Sequence, residues 1–502
     1  MSHSKLIIKG SALSVLQFLL QVIVAFFMMP FIIRHLGKEL YGVWLLIAAF
    51  VGYYGLLDFG ISGAVMRYVS RSIGAKQREW TKYYVSTAFF VLCAVGLIII
   101  VISFGASFIG KAFITSKENI LLFKYSVIIA GCTVGLSFPL RVFDGVLNAN
   151  LRVDLKRGIE IGELIVRTIL IVVILGKGYG VLGLAAVSAL CMLAEFVAKT
   201  IAAFVSDHTL RIGIRYISRD KAKEMQDFAF FNFIQSIAKI LSEKIDPYTV
   251  AYFANIIAVT YYGVALSLAN YFAEFFRALL GILLPVLSQK EGAKDIEGIR
   301  RVFLFVSKLT IIMATFIGSM VVLYGKQFLV CWLGAPFSRS YIIMVILIVP
   351  MIVAYGLFPS VFILNSMERH RINTYLDIVQ GITNLFLSII LGFLWKTIGI
   401  ALGTAIPLLM LGSFAKSHFA CKVIKLSAFD YWRKMLSIFL RCEFLIVPVW
   451  FVFGRQIGES YMSIFRIIVI HTAFFAGIGY FFLLSKSDMK LIKQRVFASI
   501  AR

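Results

Sequence analysis

Acidic residues are scarce in this chain: 25 Asp plus Glu stand against 50 Lys plus Arg, and charged residues make up only 15% of its 502 positions. An ordinary soluble domain carries about 25% charged and roughly 45–50% apolar residues. Here 60% are hydrophobic, and no stretch is polar enough to fold as a large aqueous domain. Disorder and collagen are excluded by the same numbers. Cysteine is equally sparse. Cys93, Cys132, Cys191, Cys331, Cys421 and Cys442 stand far apart, with only Cys331 in an expected external loop, so neither a disulfide framework nor a metal knuckle is available. The six histidines form no i, i+4 pair and no helical E-x-x-H arrangement, so no metal site and no cofactor is expected.

Apolar runs of about 20 residues, the length that crosses a bilayer, are abundant. Fourteen are expected, at 10–34, 40–65, 83–109, 121–148, 158–175, 181–205, 227–246, 256–289, 302–324, 341–366, 375–395, 398–420, 436–453 and 464–485; twelve remain if one weak pair is misread. The fold class is therefore all-α, polytopic and membrane-spanning. The first run is long and lacks a small-residue cleavage site, so it reads as a retained helix. A formal charge of +25 would suggest nucleic acid in a soluble protein; here the distribution of cations reports topology instead, and no nucleic-acid partner is expected. Assigned alternately to two sides, the loops carry 30 Lys plus Arg on one side and 9 on the other. The positive-inside rule then places both termini in the cytoplasm.

Three short matches recur at nearly one offset: Y-G-V-W-L-L-I-A-A (41–49) with Y-G-V-A-L-S-L-A-N (262–270), L-N-A-N-L-R (147–152) with L-N-S-M-E-R (364–369), and G-L-A-A-V-S-A (183–189) with G-I-A-L-G-T-A (399–405). Offsets of 221, 217 and 216 in the same order argue for a duplicated six-helix unit. Six is even, so the copies share one orientation, the parallel repeat of many transporters. The expected organisation is an N-terminal lobe at 1–205, a basic cytoplasmic linker at 206–226, a C-terminal lobe at 227–420, and an appended helix pair with a basic tail at 421–502.

Counting Arg34, at the edge of the first span, with the loop that follows it, eleven cations fall inside the expected spans. Lys124, Lys244, Lys416, Arg441 and Arg466 lie near span ends, where long side chains reach the interface. Arg141, Lys199 and Lys308 are the others outside the middle, and Arg167, Lys239 and Arg277 sit near mid-span, where an isolated charge costs at least about 2.5–3.5 kcal/mol. Carboxylates follow at helical spacing: Glu160 and Glu163 with Arg167, Glu243 and Asp246 with Lys239, Glu274 with Arg277, Asp144 with Arg141. Such pairs serve as helix glue or as a cavity lining. Spread over both lobes with cations in slight excess, the set suits an anion, and a pyrophosphate matches the arginine fork. The candidate substrate-binding residues are Arg141, Arg167, Lys239, Arg277 and Lys308; the candidate coupling or pairing carboxylates are Asp58, Asp144, Glu163, Glu195 and Glu274. Tyr41, Tyr53, Tyr54, Tyr261, Tyr262 and Tyr271 fit either an interfacial aromatic belt or stacking on sugar rings.

F-I-I-R-H-L-G-K-E-L-Y-G-V-W (31–44), G-L-L-D-F-G-I-S-G-A-V-M-R-Y-V-S-R (55–71) and P-L-R-V-F-D-G-V-L-N-A-N-L-R (139–152) resemble the bacterial polysaccharide-biosynthesis flippases, the O-antigen (Wzx) type of the multidrug/oligosaccharidyl-lipid/polysaccharide (MOP) exporter superfamily. The resemblance covers about residues 1–420. It implies an inner-membrane protein, not an enzyme, that carries an undecaprenyl-pyrophosphate oligosaccharide from the cytoplasmic to the periplasmic leaflet by alternating access, beside membrane lipid and partner polymerase and chain-length proteins. Family members use cavity cations for the pyrophosphate, which the resemblance carries onto Arg141, Arg167, Lys239 and Arg277. Many O-antigen flippases have twelve spans, and the extra pair here is similar to the exopolysaccharide and peptidoglycan-precursor branches.

Two other classes compete. A cation-coupled small-molecule exporter of the same superfamily would show a carboxylate excess in its cavity. A membrane glycosyltransferase, polymerase or ligase would carry its chemistry on a large external loop, but the longest expected here, 325–340, has no carboxylate.

Overall fold

The computed structural model of the protein describes residues 3–226, 233, 245–281, 283–367, 369–454, 458 and 460–483, and every regular element among them is helical. The first helix, α1 (His3–Tyr53), runs 51 residues. At 1.5 Å per residue it is more than twice as long as the roughly 30 Å hydrocarbon core requires. It breaks at Gly37, whose φ of 76° and ψ of 170° lie outside helical space, so one continuous assignment holds two spans. The second of these ends at Tyr53, short of the expected residue 65. A 3₁₀ turn, Tyr54–Asp58, and two left-handed residues, Phe59 and Gly60, redirect the chain into α2 (Ile61–Gly74).

α3 (Glu79–Ala106) and α4 (Lys117–Ser137) follow. Pro139 then interrupts the expected span 121–148 with a 3₁₀ turn, Phe138–Arg141, before the short α5 (Val142–Ala149). α6 (Val153–Gly176), α7 (Gly180–Ser206) and α8 (Asp246–Phe253) come next, then α9 (Ile256–Leu280), α10 (Leu283–Gly292), α11 (Ile296–Leu333) and α12 (Arg339–Gly356). Beyond them lie α13 (Pro359–Ser366), α14 (His370–Pro407), α15 (Lys416–Val423), α16 (Ala428–Val449) and α17 (Tyr461–Phe482).

Nine helical stretches among the described residues are long and apolar enough to cross a membrane. Two of them are double. Ala12–Tyr53 breaks at Gly37, and Arg371–Val423 breaks at Trp395 and Lys396, where φ reaches −126° and 50°. α6, with its charged stripe, and α17, with its shorter apolar core, account for two further expected spans. Most of the expected span 227–246, with Lys239, Glu243 and Lys244, lies outside the described residues. An all-α polytopic membrane protein of about fourteen spans accommodates these elements.

Packing divides the chain into two units, Met1–Thr260 and Tyr261–Arg502. In the first, α3 and α4 approach until backbone meets backbone: a Cβ on Gly96 would stand 2.3 Å from the Gly135 carbonyl oxygen. Lipid gives apolar helices no hydrophobic reason to associate, so close van der Waals fit of this kind holds them together. The short α2 and α5 touch each other and, with α3, bury Val65, Val85, Leu92, Phe138 and Phe143. In the second unit α12 is likewise interrupted ahead of a proline, Pro359, which opens the short α13, and α13 touches the short α10. Leu287, Phe303, Ile363 and Tyr431 lie in that core. Long helix, proline break and short helix packed on another short helix thus recur in both units, at Pro139 and Pro359.

Two expectations change. Gly334, with φ 96°, ends α11, so 325–333 is helix rather than external loop and Cys331 is helical. Tyr41, Tyr54, Tyr261 and Tyr262 are buried in helix packing, which removes them from both a belt and a sugar platform. The segment 206–226 packs on α3, where the Gly213 and Ser218 amides donate to Ser86 Oγ and Thr87 Oγ1 at 3.3 and 3.0 Å. Glu224 in that segment accepts from Lys221 at 2.7 Å and from the Tyr84 hydroxyl at 2.5 Å, contacts that hold its carboxyl below the usual range.

Candidate functional site

The densest charge in the first unit lies where α6 faces α7. Helical spacing puts Arg157, Glu160, Glu163 and Arg167 on one side of α6, and Glu195 and Lys199, four apart, on one side of α7. Lys199 is the hub. Its side chain is 3% exposed, and Nζ stands 2.6 Å from Glu195, 2.9 Å from Glu160 and 3.3 Å from Asp144. Removing an ammonium and its partners from water costs several kcal/mol per ion, and only close pairing offsets it. Asp144 is shared with Lys156 at 3.3 Å. Arg157 donates to Glu160 at 2.7 Å, Gln17 at 2.8 Å and Ser14 at 3.1 Å, tying α6 to α1. One turn and more further along α6, Arg167 pairs with Glu163 at 3.1 Å.

Arg157, Glu160, Glu163, Arg167 and Glu195 border a cavity of about 480 Å³ within the first unit, reached also by Gln17, Gln21 and Trp44 of α1. Its lining holds two arginines, Arg157 and Arg167, and three glutamates, Glu160, Glu163 and Glu195. Both arginines keep a third or more of their side chains exposed, so they present guanidinium to the cavity while the glutamates are mostly covered. The arrangement can exchange one anionic partner for another without leaving a buried charge bare.

The expected residues separate into groups. Asp144 and Glu195 join Lys199, and Glu163 joins Arg167, as described. Arg141 makes no close ion pair with Asp144 three residues on, although the charges of Asp58, Asp144 and Glu195 all act on it. Its guanidinium lies over the Phe138 ring at 4.6 Å and near Phe196 at 5.9 Å. Asp58 caps α2 by accepting from the Ser62 hydroxyl at 2.6 Å. Arg277 pairs with Glu274 at 3.0 Å, but α9 stops at Leu280, so Arg277 sits in a last turn rather than mid-span. Lys308 faces α16 in a separate basic cavity. Lys239 lies outside the described residues.

Sequence reasoning gave no role to Lys199, and it placed Lys416 at a span end where it would reach for water. Lys416 is instead 8% exposed and stands 2.5 Å from Asp377. The signal was present: Lys416 and Asp377 each follow Lys199 and Glu160 by 217 residues, an offset already given by the L-N-x-x-x-R match.

Long apolar helices, two units built alike and a charge-lined cavity define a multi-pass helical membrane protein. Solved structures agree on its fold. An inward-facing multidrug resistance MATE family transporter of the MOP superfamily superposes with a TM-score of 0.65 at 16% identity, covering 82% of this chain and 96% of that one. The lipid II flippase MurJ, in an inward closed conformation, gives 0.64 at 14% identity and covers 95% and 98%. A MOP superfamily transporter from Pyrococcus furiosus, described as having a binding pocket of reversed polarity, gives 0.62 at 14% identity, with 85% and 96% covered. By sequence, the uncharacterized membrane protein EpsK of Bacillus subtilis strain 168 is 19% identical over 386 residues, 74% of each chain. The polysaccharide biosynthesis protein family matches residues 7–291, more than half of the chain, and the protein belongs to that family. The resemblance carried by residues 31–71 and 139–152 is thereby borne out at the level of the family, and the fold is the one shared by MOP-superfamily transporters and a lipid II flippase.

Proposed function

We propose that the protein is a flippase for an undecaprenyl-pyrophosphate-linked oligosaccharide, an O-antigen or exopolysaccharide repeat unit. It moves the headgroup from the cytoplasmic to the periplasmic leaflet of the inner membrane, with both termini cytoplasmic. The lobes at 1–205 and 227–420 alternate access, 206–226 links them, 421–502 carries the appended pair, and polymerase and chain-length proteins take the product. The observation that carries this reading, beside the family, is coverage: the lipid II flippase structure spans 95% of this chain, against 82% and 85% for the MATE and Pyrococcus transporters.

In this reading Arg157 and Arg167 receive the pyrophosphate, with Arg141, Lys239, Arg277 and Lys308 as further cations on its route. A guanidinium fork binds phosphate oxygens bidentately. Arg167 is 40% exposed and solvent screens its pair with Glu163, so an arriving phosphate displaces Glu163, while Lys199 keeps Glu160 and Glu195 neutralised. The polyprenyl tail stays in lipid. Outward movement of about two negative charges across an inside-negative 100 mV gains roughly 4.6 kcal/mol, at about 2.3 kcal/mol per charge. Asp58, Asp144, Glu163, Glu195 and Glu274 are the carboxylates available for proton or sodium coupling instead.

The three glutamates of the 480 Å³ cavity favour a second reading, a cation-coupled small-molecule exporter. Leaflet transfer in proteoliposomes separates the two. The flippase reading expects protein-dependent movement of labelled undecaprenyl-pyrophosphate oligosaccharide; proton-driven export of an organic cation without lipid movement establishes the exporter.

A further inference from the structure

A second concentration of charge lies away from the α6–α7 cavity. Arg433, Lys434 and Arg441 of α16 are all exposed, and with Lys308 of α11 they line a cavity of about 460 Å³. Ser437 adds a hydroxyl, and Asp430 is the one carboxylate in the lining. Arg433, Lys434 and Arg441 form no ion pair with a described residue. Four cations against one anion in so small a volume repel one another unless an anion enters.

The same face of α16 continues as an apolar ladder. Leu436, Leu440 and Phe444 follow at helical spacing and are 56%, 56% and 69% exposed. With Phe482 of α17 they border a second cavity of about 390 Å³, which shares Arg433, Ser437 and Arg441 with the first. A basic pocket therefore opens directly into an apolar groove, both within the second unit. It lies at the start of the expected span 436–453 and beside the basic 421–435 segment, where the positive-inside rule puts cations near phospholipid headgroups.

The geometry points to a binding site for an anionic phospholipid of the surrounding membrane. Its phosphodiester sits among Lys308, Arg433, Lys434 and Arg441, and an acyl chain lies along Leu436, Leu440 and Phe444. A free anion would leave the apolar ladder unused, and a zwitterionic lipid would bring a second cation into a cationic pocket. Apart from Lys308, which the proposed substrate route also uses, the site does not depend on what the protein transports.

The test is thermal unfolding of the full chain in detergent micelles supplemented with phosphatidylglycerol, phosphatidylcholine, inorganic phosphate or undecaprenyl pyrophosphate. Phosphatidylglycerol is expected to raise Tm, with little rise from phosphatidylcholine or inorganic phosphate. The triple variant Arg433→Gln/Lys434→Gln/Arg441→Gln is expected to keep its basal Tm and lose the rise. If that variant does not fold, Arg441→Gln alone should halve the rise or more, and high salt should abolish it in the wild type. An undiminished rise in the variants, an equal rise with inorganic phosphate, or a rise with undecaprenyl pyrophosphate and none with phosphatidylglycerol would each overturn the proposal.

Discussion

Lys416 Nζ stands 2.5 Å from Asp377, 39 residues upstream, just as Lys199 Nζ stands 2.9 Å from Glu160, also 39 residues upstream. The two ion pairs are 217 residues apart at both ends, one in each unit. A buried cation bonded to the carboxylate of a neighbouring span fixes how two helices meet, and the duplicated chain does this twice at equivalent places. The copies differ in setting. Lys199 has three carboxylates around it, whereas Asp377 is 43% exposed and solvent shares its charge.

Replacing Lys199 with Met therefore leaves Asp144, Glu160 and Glu195 without their common cation. Breaking a buried pair costs about 3–5 kcal/mol, so Lys199→Met is expected to unfold at clearly lower temperature in detergent. Adding Glu160→Gln should restore part of the loss, and Lys416→Met should cost less, since a half-exposed partner is screened. Equal melting of Lys199→Met and wild type would show that the hub does not hold α6 to α7.

Gly96→Val tests the contact between α3 and α4. The new side chain meets the Gly135 carbonyl, and overpacking of this kind costs typically about 1–3 kcal/mol. Thermal unfolding should fall accordingly, while Gly158→Val, at a position with open space around its Cβ, should leave it near wild type. Indistinguishable melting of the two variants would contradict the close approach.

Asp295 accepts from Lys290 at 2.8 Å and from the Gly298 amide at 2.7 Å, and both bonds hold its carboxyl below the ordinary aspartate range. A lowered folded value contributes stability above the unfolded value, and that stability is lost as pH falls through the folded one. Hydrogen exchange at Gly298 and the first turn of α11 should be faster in Asp295→Asn than in wild type at neutral pH. The difference should shrink in acid, where wild type loses the same carboxylate. A gap that persists at low pH would assign the effect to something other than the charge.

Much of this was legible in the chain. Span positions followed from apolar length, and the repeat followed from three short matches, because both are periodic properties that neighbouring residues carry. The breaks were harder. A span from 40 to 65 and another from 121 to 148 look continuous in hydropathy, yet Phe59–Gly60 and Pro139 turn them through backbone conformations that hydropathy does not register. The first of those breaks places Asp58 at the start of α2, where it bonds Ser62. Arg167 with Glu163 and Arg277 with Glu274 were readable as same-helix pairs. Lys199 was not, because two of its three partners come from other helices and only packing brings them together.

The central claim is that the arginines of the α6–α7 cavity carry the headgroup. The most direct measurement is the transfer rate of labelled undecaprenyl-pyrophosphate oligosaccharide in proteoliposomes, comparing wild type with Arg157→Gln/Arg167→Gln at equal insertion and equal melting temperature. The account predicts at least about a tenfold loss in the double variant, the scale of one lost charge-assisted contact at about 1.4 kcal/mol per factor of ten. Transfer at the wild-type rate would contradict it.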